Sequence, residues 1–201
     1  MVGMSGSADT NPSLDLFDVN GQRKYLTNGE ARALLRVARK GDRREQLFCC
    51  LLYYTGCRCS EGLQITPRRL DPETGRVIFR TLKRRRTVFR AVPVPRPFLQ
   101  ELTAFAASLG LGPDDPLFPW CRQTAWRHIR KLMEAADIHG PQATPKGFRH
   151  GFGCHGIGSG LPESLVGRLL GHVEGGKSTR IYTYVMDAEE RALAARMWRS
   201  S

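Results

Sequence analysis

The sequence lacks several things whose absence narrows what it can be. No apolar run approaches the roughly 18 residues of a membrane span. The opening stretch MVGMSGSADTNPSLD has no apolar segment of the kind a secretory leader uses. Neither a lipidation motif nor a basic amphipathic anchor helix is present, which argues against a membrane surface as partner. The six cysteines, at 49, 50, 57, 59, 121 and 154, form no C-x-x-C pair and lack a matching histidine spacing. Zinc is thereby disfavoured, and scattered reduced thiols in a cytoplasmic protein are expected. No carboxylate cluster offers ligands for a divalent metal. Acidic residues are also scarce in one place: none lies between Glu73 and Glu101.

What that interval holds instead is charge of the other sign. Arg76, Arg80, Lys83, Arg84, Arg85, Arg86, Arg90 and Arg96 all fall within it. Across 201 residues, 31 Lys and Arg outnumber 19 Asp and Glu, for a formal net charge of +12. A surface so basic favours a polyanion, most simply nucleic acid. A run of charge is usually only a solvated face, but one that coincides with a hairpin reads as an element that tracks phosphates.

The pattern along the chain predicts one domain without internal repeats. Residues 1–25 are polar and read as a flexible lead-in, with the folded domain over 26–201. Thr27 and Glu30 are spaced as a capping box, opening a helix over ARALLRVARK. A second helix, RREQLFCCLLYYTG, is almost wholly apolar after Gln46 and therefore buried, with Gly56 ending it. A short helix begins near Arg58 or Ser60. Val77, Phe79, Val88, Val92 and Val94 then alternate or nearly alternate with polar residues around a basic tip, predicting an antiparallel hairpin or small sheet. Helical patterns resume from Pro97, in TAWRHIRKLMEAADI, in FRHGFGCHGIGSG, in ESLVGRLLG and from Asp187 to about Trp198. The fold class is mainly α with one small β-insert.

One segment decides the chemistry. In GHVEGGKSTRIYTYV, Gly171, Gly176, Lys177 and Ser178 fit the phosphate-loop pattern G-x-x-x-x-G-K-[ST]. That loop requires a buried strand before it and a helix after it, in a βαβ unit. Here the preceding PESLVGRLL starts with proline and reads as a helix, and only 23 residues follow Ser178. The match is a coincidence, and no ATP site is expected.

Read from its other end, the same segment leads into Tyr182 and Tyr184. A phenol is neutral at pH 7, so as a nucleophile it needs a cationic surround or a proton acceptor. A phosphodiester under attack also needs donors aimed at its non-bridging oxygens, a task that suits paired arginines. Arg58 stands directly after a buried helix and a glycine turn, an unusual place for a packing residue; the plain alternative is an ion pair with Glu61. Arg149 lies among apolar neighbours in KGFRHGFGCH. His172 ends LLGH, where a lone histidine is more often structural.

Taken in order, TGCRCSE, TLKRRRTVFRAVPVP, KGFRHGFGCH, LLGH and STRIYTYV resemble the blocks of the tyrosine recombinase, or phage integrase, family, from about Thr27 to the last helix. The resemblance implies DNA strand exchange without metal, ATP or other cofactor. Tyr182 would attack the scissile phosphate to give a 3′-phosphotyrosyl link, with Tyr184 in a packing position. Arg58 and Arg149 would clamp the phosphate, Lys83 would protonate the leaving 5′-oxygen, and His172 would donate a further hydrogen bond. Arg84, Arg85, Arg86 and Arg90 read as DNA-backbone contacts, since arginine barely gives up its proton. Lys146 stands where the family usually has histidine, so phosphate binding survives there more easily than general-base duty. The loop between His172 and Tyr182 is about one residue longer than the family's usual one, which is tolerable. The resemblance further implies a homotetramer on paired DNA sites in a prokaryotic or phage-type cytoplasm, associated with the nucleoid. Because little precedes Thr27, the chain resembles a short, catalytic-domain-only member or a fragment. A type IB topoisomerase and a catalytically idle DNA-binding protein are the alternatives.

Overall fold

Thr27 starts the first helix as its spacing predicts. Its hydroxyl accepts from the Glu30 N–H while the Glu30 carboxylate accepts from the Thr27 N–H, so two orphan donors are satisfied at once. The computed structural model describes residues 16–83 and 86–172, leaving aside the side chains of residues 81–87. Helix α1, Asn28–Ala38, buries Ala31, Leu34, Leu35 and Ala38, one stripe at helical spacing. Asp42 then caps α2, Arg43–Thr55, by accepting from the N–H groups of Arg44 and Glu45. From Leu47 to Leu52 every side chain of α2 is buried, so this helix is the centre of the domain.

A short helix α3, Cys59–Gly62, and a 3₁₀ turn, Pro67–Arg69, lead to the sheet. Its strands β1, Leu70–Asp71, β2, Arg76–Lys83, and β3, Arg86–Pro93, pair antiparallel in the order β1-β2-β3. The register sets Val77 opposite Val92 and Phe79 opposite Arg90. Val77, Phe79 and Val92 are fully buried at the hairpin's base, whereas Val88 and Phe89 are exposed farther out. Helices α4, Arg96–Ser108, α5, Arg122–Ala135, α6, Pro145–Gly158, and α7, Glu163–Leu170, complete the described fold. Phe48 of α2 meets the rings of Phe118 and Trp120 edge-on and closes the core beneath α5. The expectation of a mainly helical domain with a small antiparallel insert is met.

Two boundaries differ from the sequence reading. Helix α6 begins at Pro145 rather than Phe148, because Thr144 caps it and proline suits a first turn that has no acceptor for its nitrogen. Residues 16–25, read as part of a flexible lead-in, are tied to the domain through Leu16. Phe17 and Arg23 form a β-bridge, Lys24 donates its N–H to the Leu16 carbonyl, and Leu16 is buried with Cys154, Ile157, Val166 and Leu170. The polar letters of this stretch hid one apolar anchor. Residues 1–15 and the helix expected from Asp187 lie outside the described residues.

Candidate active site

The site is organised around a turn. Gly56 ends α2 in the left-handed conformation (φ 57°), and a Cβ there would lie 2.7 Å from Cγ of Phe152 and 2.8 Å from Cδ2 of Leu170. Only glycine lets the backbone of α2 come this close to α6 and α7. Its carbonyl accepts from Nη1 of Arg149 at 3.0 Å, and Nη2 of Arg149 donates to the Leu170 carbonyl at 2.8 Å. One guanidinium thus joins the turn just before Arg58 to the residue just before the Gly171-His172 pair. Arg149 itself is buried, and the two carbonyls fix the plane of its fork.

Arg58 is presented differently. It is the N-cap of α3, and its N–H donates to Oε2 of Glu61 at 2.9 Å while Nη1 donates to Oε1 at 3.1 Å. Its side chain remains 46% exposed. The ion pair with Glu61 and the role of exposed donor are therefore compatible, since the carboxylate steadies the arginine without covering it. His172 follows a Schellman turn: its N–H donates to the Gly167 carbonyl at 2.8 Å and that of Gly171 to Arg168 at 3.0 Å, with Gly171 at φ 70°.

Positive charge concentrates between these elements. His150 is buried and its pKa is pushed down to about 3, first by burial and then by Lys146, Lys24, Arg149 and His172. Four basic groups from three parts of the chain thus act on one imidazole, which stays neutral. Lys146 lies one helical turn before Arg149. It is exposed as a residue, yet partial burial and then Lys24 lower its pKa from the ordinary lysine value. That direction favours the proton-accepting duty that a free lysine performs poorly. Cys57, beside the turn, is fully buried and pushed up to about 12 by that burial, so it stays a thiol.

Such an arrangement, with fixed and exposed arginines in a positive field, can hold a phosphate diester and stabilise charge developing on it. Of the residues singled out in the sequence, Arg58, Arg149, Lys146 and His172 belong to the elements meeting here. Lys83 is the last residue of β2, paired through its Cα with Arg86. Arg84, Arg85 and Tyr182 lie outside the described residues. Arg90 departs from its expected place among the DNA contacts. Its side chain is 9% exposed and its fork grips Glu61, at 2.9 Å from Nη1 to Oε1 and 2.7 Å from Nη2 to Oε2. Strand alternation carries the missed signal: Arg90 has the parity of Val92 and Val94, both buried, so at the hairpin's base that face is the core side. Lys24 was also missed, and no local pattern marks it.

The sequence profile of the phage integrase family matches residues 24–189. The chain belongs to the phage integrase family. Its relatives include tyrosine recombinase XerA of Pyrococcus furiosus, 31% identical over 185 residues that cover 84% of this chain and 62% of XerA. A crystal structure of XerA recombinase superposes with a TM-score of 0.71 at 25% identity, covering 86% of this chain and 62% of that one. XerH site-specific recombinase, bound to a palindromic difH substrate in a post-cleavage complex, superposes at 0.72 with 20% identity, covering 88% and 53%. At that identity the second match shows the fold alone. The integrase domain seen here spans less than two thirds of the length of each of these three proteins. Among the described residues, no helix is long and apolar enough to cross a membrane.

Proposed function

We propose that this phage integrase domain breaks and rejoins double-stranded DNA as a site-specific recombinase, through a covalent 3′-phosphotyrosyl intermediate. The observation that carries the proposal is the guanidinium of Arg149, which ties the Arg58 turn to the His172 turn through two carbonyls, at 3.0 and 2.8 Å. Three motif blocks far apart in sequence thereby converge on one place suited to a phosphate. Tyr182 forms a bond from its phenolic oxygen to phosphorus as the bond from phosphorus to the 5′-oxygen breaks. The phenol's proton passes to a base, for which Lys146, its pKa lowered by partial burial and by Lys24, is the candidate, and the leaving 5′-oxygen takes a proton from Lys83. Arg58, Arg149 and His172 hold the non-bridging oxygens. Because the phosphotyrosyl ester conserves the broken bond's energy, the 5′-hydroxyl of a partner strand can reverse the step and complete the exchange.

Exchange needs two duplexes, and a formal net charge of +12 supports DNA as the partner. A homotetramer on paired sites in a prokaryotic or phage-type cytoplasm is the assembly proposed. The test begins by selecting the protein's binding site from random duplexes and nicking it as a suicide substrate. Wild-type protein should become linked to the DNA 3′ end without ATP or divalent metal. Tyr182→Phe should bind the same DNA and lose the adduct entirely, while Tyr184→Phe keeps some. Adduct formation by Tyr182→Phe would refute the assignment of the nucleophile. A wild-type protein that binds its site but never links to it would be an idle DNA-binding protein, and relaxation of single duplexes without exchange would indicate a topoisomerase.

A further inference from the structure

The hairpin arginine that turned inward has a place in the site's construction. We propose that Arg90 is a positioning residue, which with Glu61 sets the clamp arginine Arg58 and supports the turn that presents His172. Three contacts of its guanidinium define the arrangement. The fork binds both oxygens of Glu61, and the same two oxygens hold Arg58 through its N–H at 2.9 Å and its Nη1 at 3.1 Å. Nε of Arg90 donates to the Leu169 carbonyl at 2.9 Å, at the end of α7. The guanidinium carbon lies 4.7 Å from the centre of the Phe79 ring, so the group is seated on the hairpin's buried base.

Gly171 closes the arrangement. A Cβ at this residue would lie 3.2 Å from both Cδ and Nη1 of Arg90, so the backbone that leads into His172 rests directly on the arginine. Arg149 holds the next carbonyl, that of Leu170. Two arginines thus grip successive carbonyls at the end of α7, one from the hairpin and one from α6. Neutral side chains could fill the same volume. They would not supply the planar fork that fits a carboxylate and a carbonyl together, and they would take a bidentate cationic partner from the buried Glu61. The consequence is a link between the hairpin, whose other strand ends at Lys83, and the two proposed phosphate donors: displacement of the hairpin base moves Glu61, Arg58 and the His172 turn together.

In its catalytic part this inference rests on the recombinase reading, so the test has one arm that depends on cleavage and one that does not. Arg90→Gln and Arg90→Lys would be compared with wild type on the nicked duplex from site selection. Arg90→Gln should keep the salt slope of DNA binding, since Arg90 makes no phosphate contact in this scheme, while single-turnover cleavage slows by about 10²-fold, the scale of a misplaced site. Arg90→Lys, which keeps the charge but not the fork, should fall between the two. In the protein alone, amide exchange at Gly171 and His172 should accelerate in both variants, and the Arg58 side-chain Nε–H resonance should shift. Wild-type cleavage by a folded Arg90→Gln protein would overturn the proposal, as would a salt slope lowered by about 1, the mark of a direct phosphate contact. If Arg90→Gln does not fold, Arg90→Lys decides on the same readings. If wild type forms no adduct, the recombinase reading falls by itself. The positioning role is then judged without DNA, and unchanged exchange at Gly171 and His172 with an unchanged Arg58 resonance would sink it.

Discussion

Arg58 and Arg149 are the two arginines proposed to hold the scissile phosphate, yet the protein holds them in opposite ways. Arg149 is buried and bonded to the carbonyls of Gly56 and Leu170, so it belongs to the frame as much as to the site. Arg58 is half exposed and steadied by a carboxylate that Arg90 also holds. A buried donor is preorganised and loses little on binding, but removing it opens the frame. An exposed donor can be removed with the frame intact. Equal catalytic duty can therefore come with unequal structural cost.

The largest expected effect is that of Arg149→Ala. Cleavage should slow by about 10² to 10³-fold, the usual cost of one lost transition-state donor. Stability should also fall by about 1–3 kcal/mol, because two buried carbonyls lose their donor. Cleavage kinetics and urea unfolding on the same preparation separate the two losses. Normal cleavage by a folded Arg149→Ala protein would remove it from the phosphate clamp.

Arg58→Ala should match that kinetic loss, at about 10² to 10³-fold, with less than about 1 kcal/mol lost in stability. Glu61 stays paired with Arg90 in this variant, so no buried charge is stranded. Equal destabilisation by the two alanines would erase the contrast between them.

A weaker effect belongs to the hairpin's other end. Neutralising Arg84, Arg85 and Arg86 together should lower the salt slope of log K by up to about 2 to 3 units, each phosphate contact releasing about one counterion. Stability should be unaffected. An unchanged slope would take the tip out of the DNA interface and leave the basic run as a solvated face.

The contrast between arginines also marks what the sequence could tell. The capping box at Thr27 and Glu30, the glycine stop at Gly56 and the hairpin's alternation are local patterns with local causes, and each was legible. Arg58 and Arg149 were legible as anomalies, charged letters in apolar company. Arg90 was misread because the density of charge around it outweighed its strand parity, though the parity was correct. Leu16 and Lys24 were not legible at all. Their roles come from a chain that folds back over α6 and α7, and no spacing rule encodes a contact so far apart in sequence. Lys146 was legible as a departure from the family's histidine, but its lowered pKa depends on burial and on Lys24, which only the fold supplies.

The smallest effect is a pH dependence that turns the buried side of the contrast into a measurement. His150, packed beside Arg149, has its pKa lowered from 6.5 to about 3, by burial first and by its basic neighbours next. As pH falls below 6.5 the unfolded chain takes up a proton here that the folded chain refuses until about pH 3, so the unfolded state binds more protons and stability declines. The contribution is complete above pH 6.5 and is lost on acidification at up to about 1 kcal/mol per pH unit. Glu30 acts in a lower window. Burial works to raise its pKa, but Arg23, the Thr27 N–H and Gln142 outweigh it and hold the carboxyl at about 2, below its ordinary 4.5. Its stabilisation is present above pH 4.5 and fades only as pH falls toward 2. Between pH 6.5 and 5 the slope from His150 is therefore free of the Glu30 contribution. Urea unfolding at several pH values in that interval should show wild type losing stability and a folded His150→Gln variant losing less per unit. Identical slopes would mean that His150 is reached by solvent and protonated in the native state. The cationic cluster around Arg149 would then be more open than its burial implies, and Arg149 would resemble Arg58 after all.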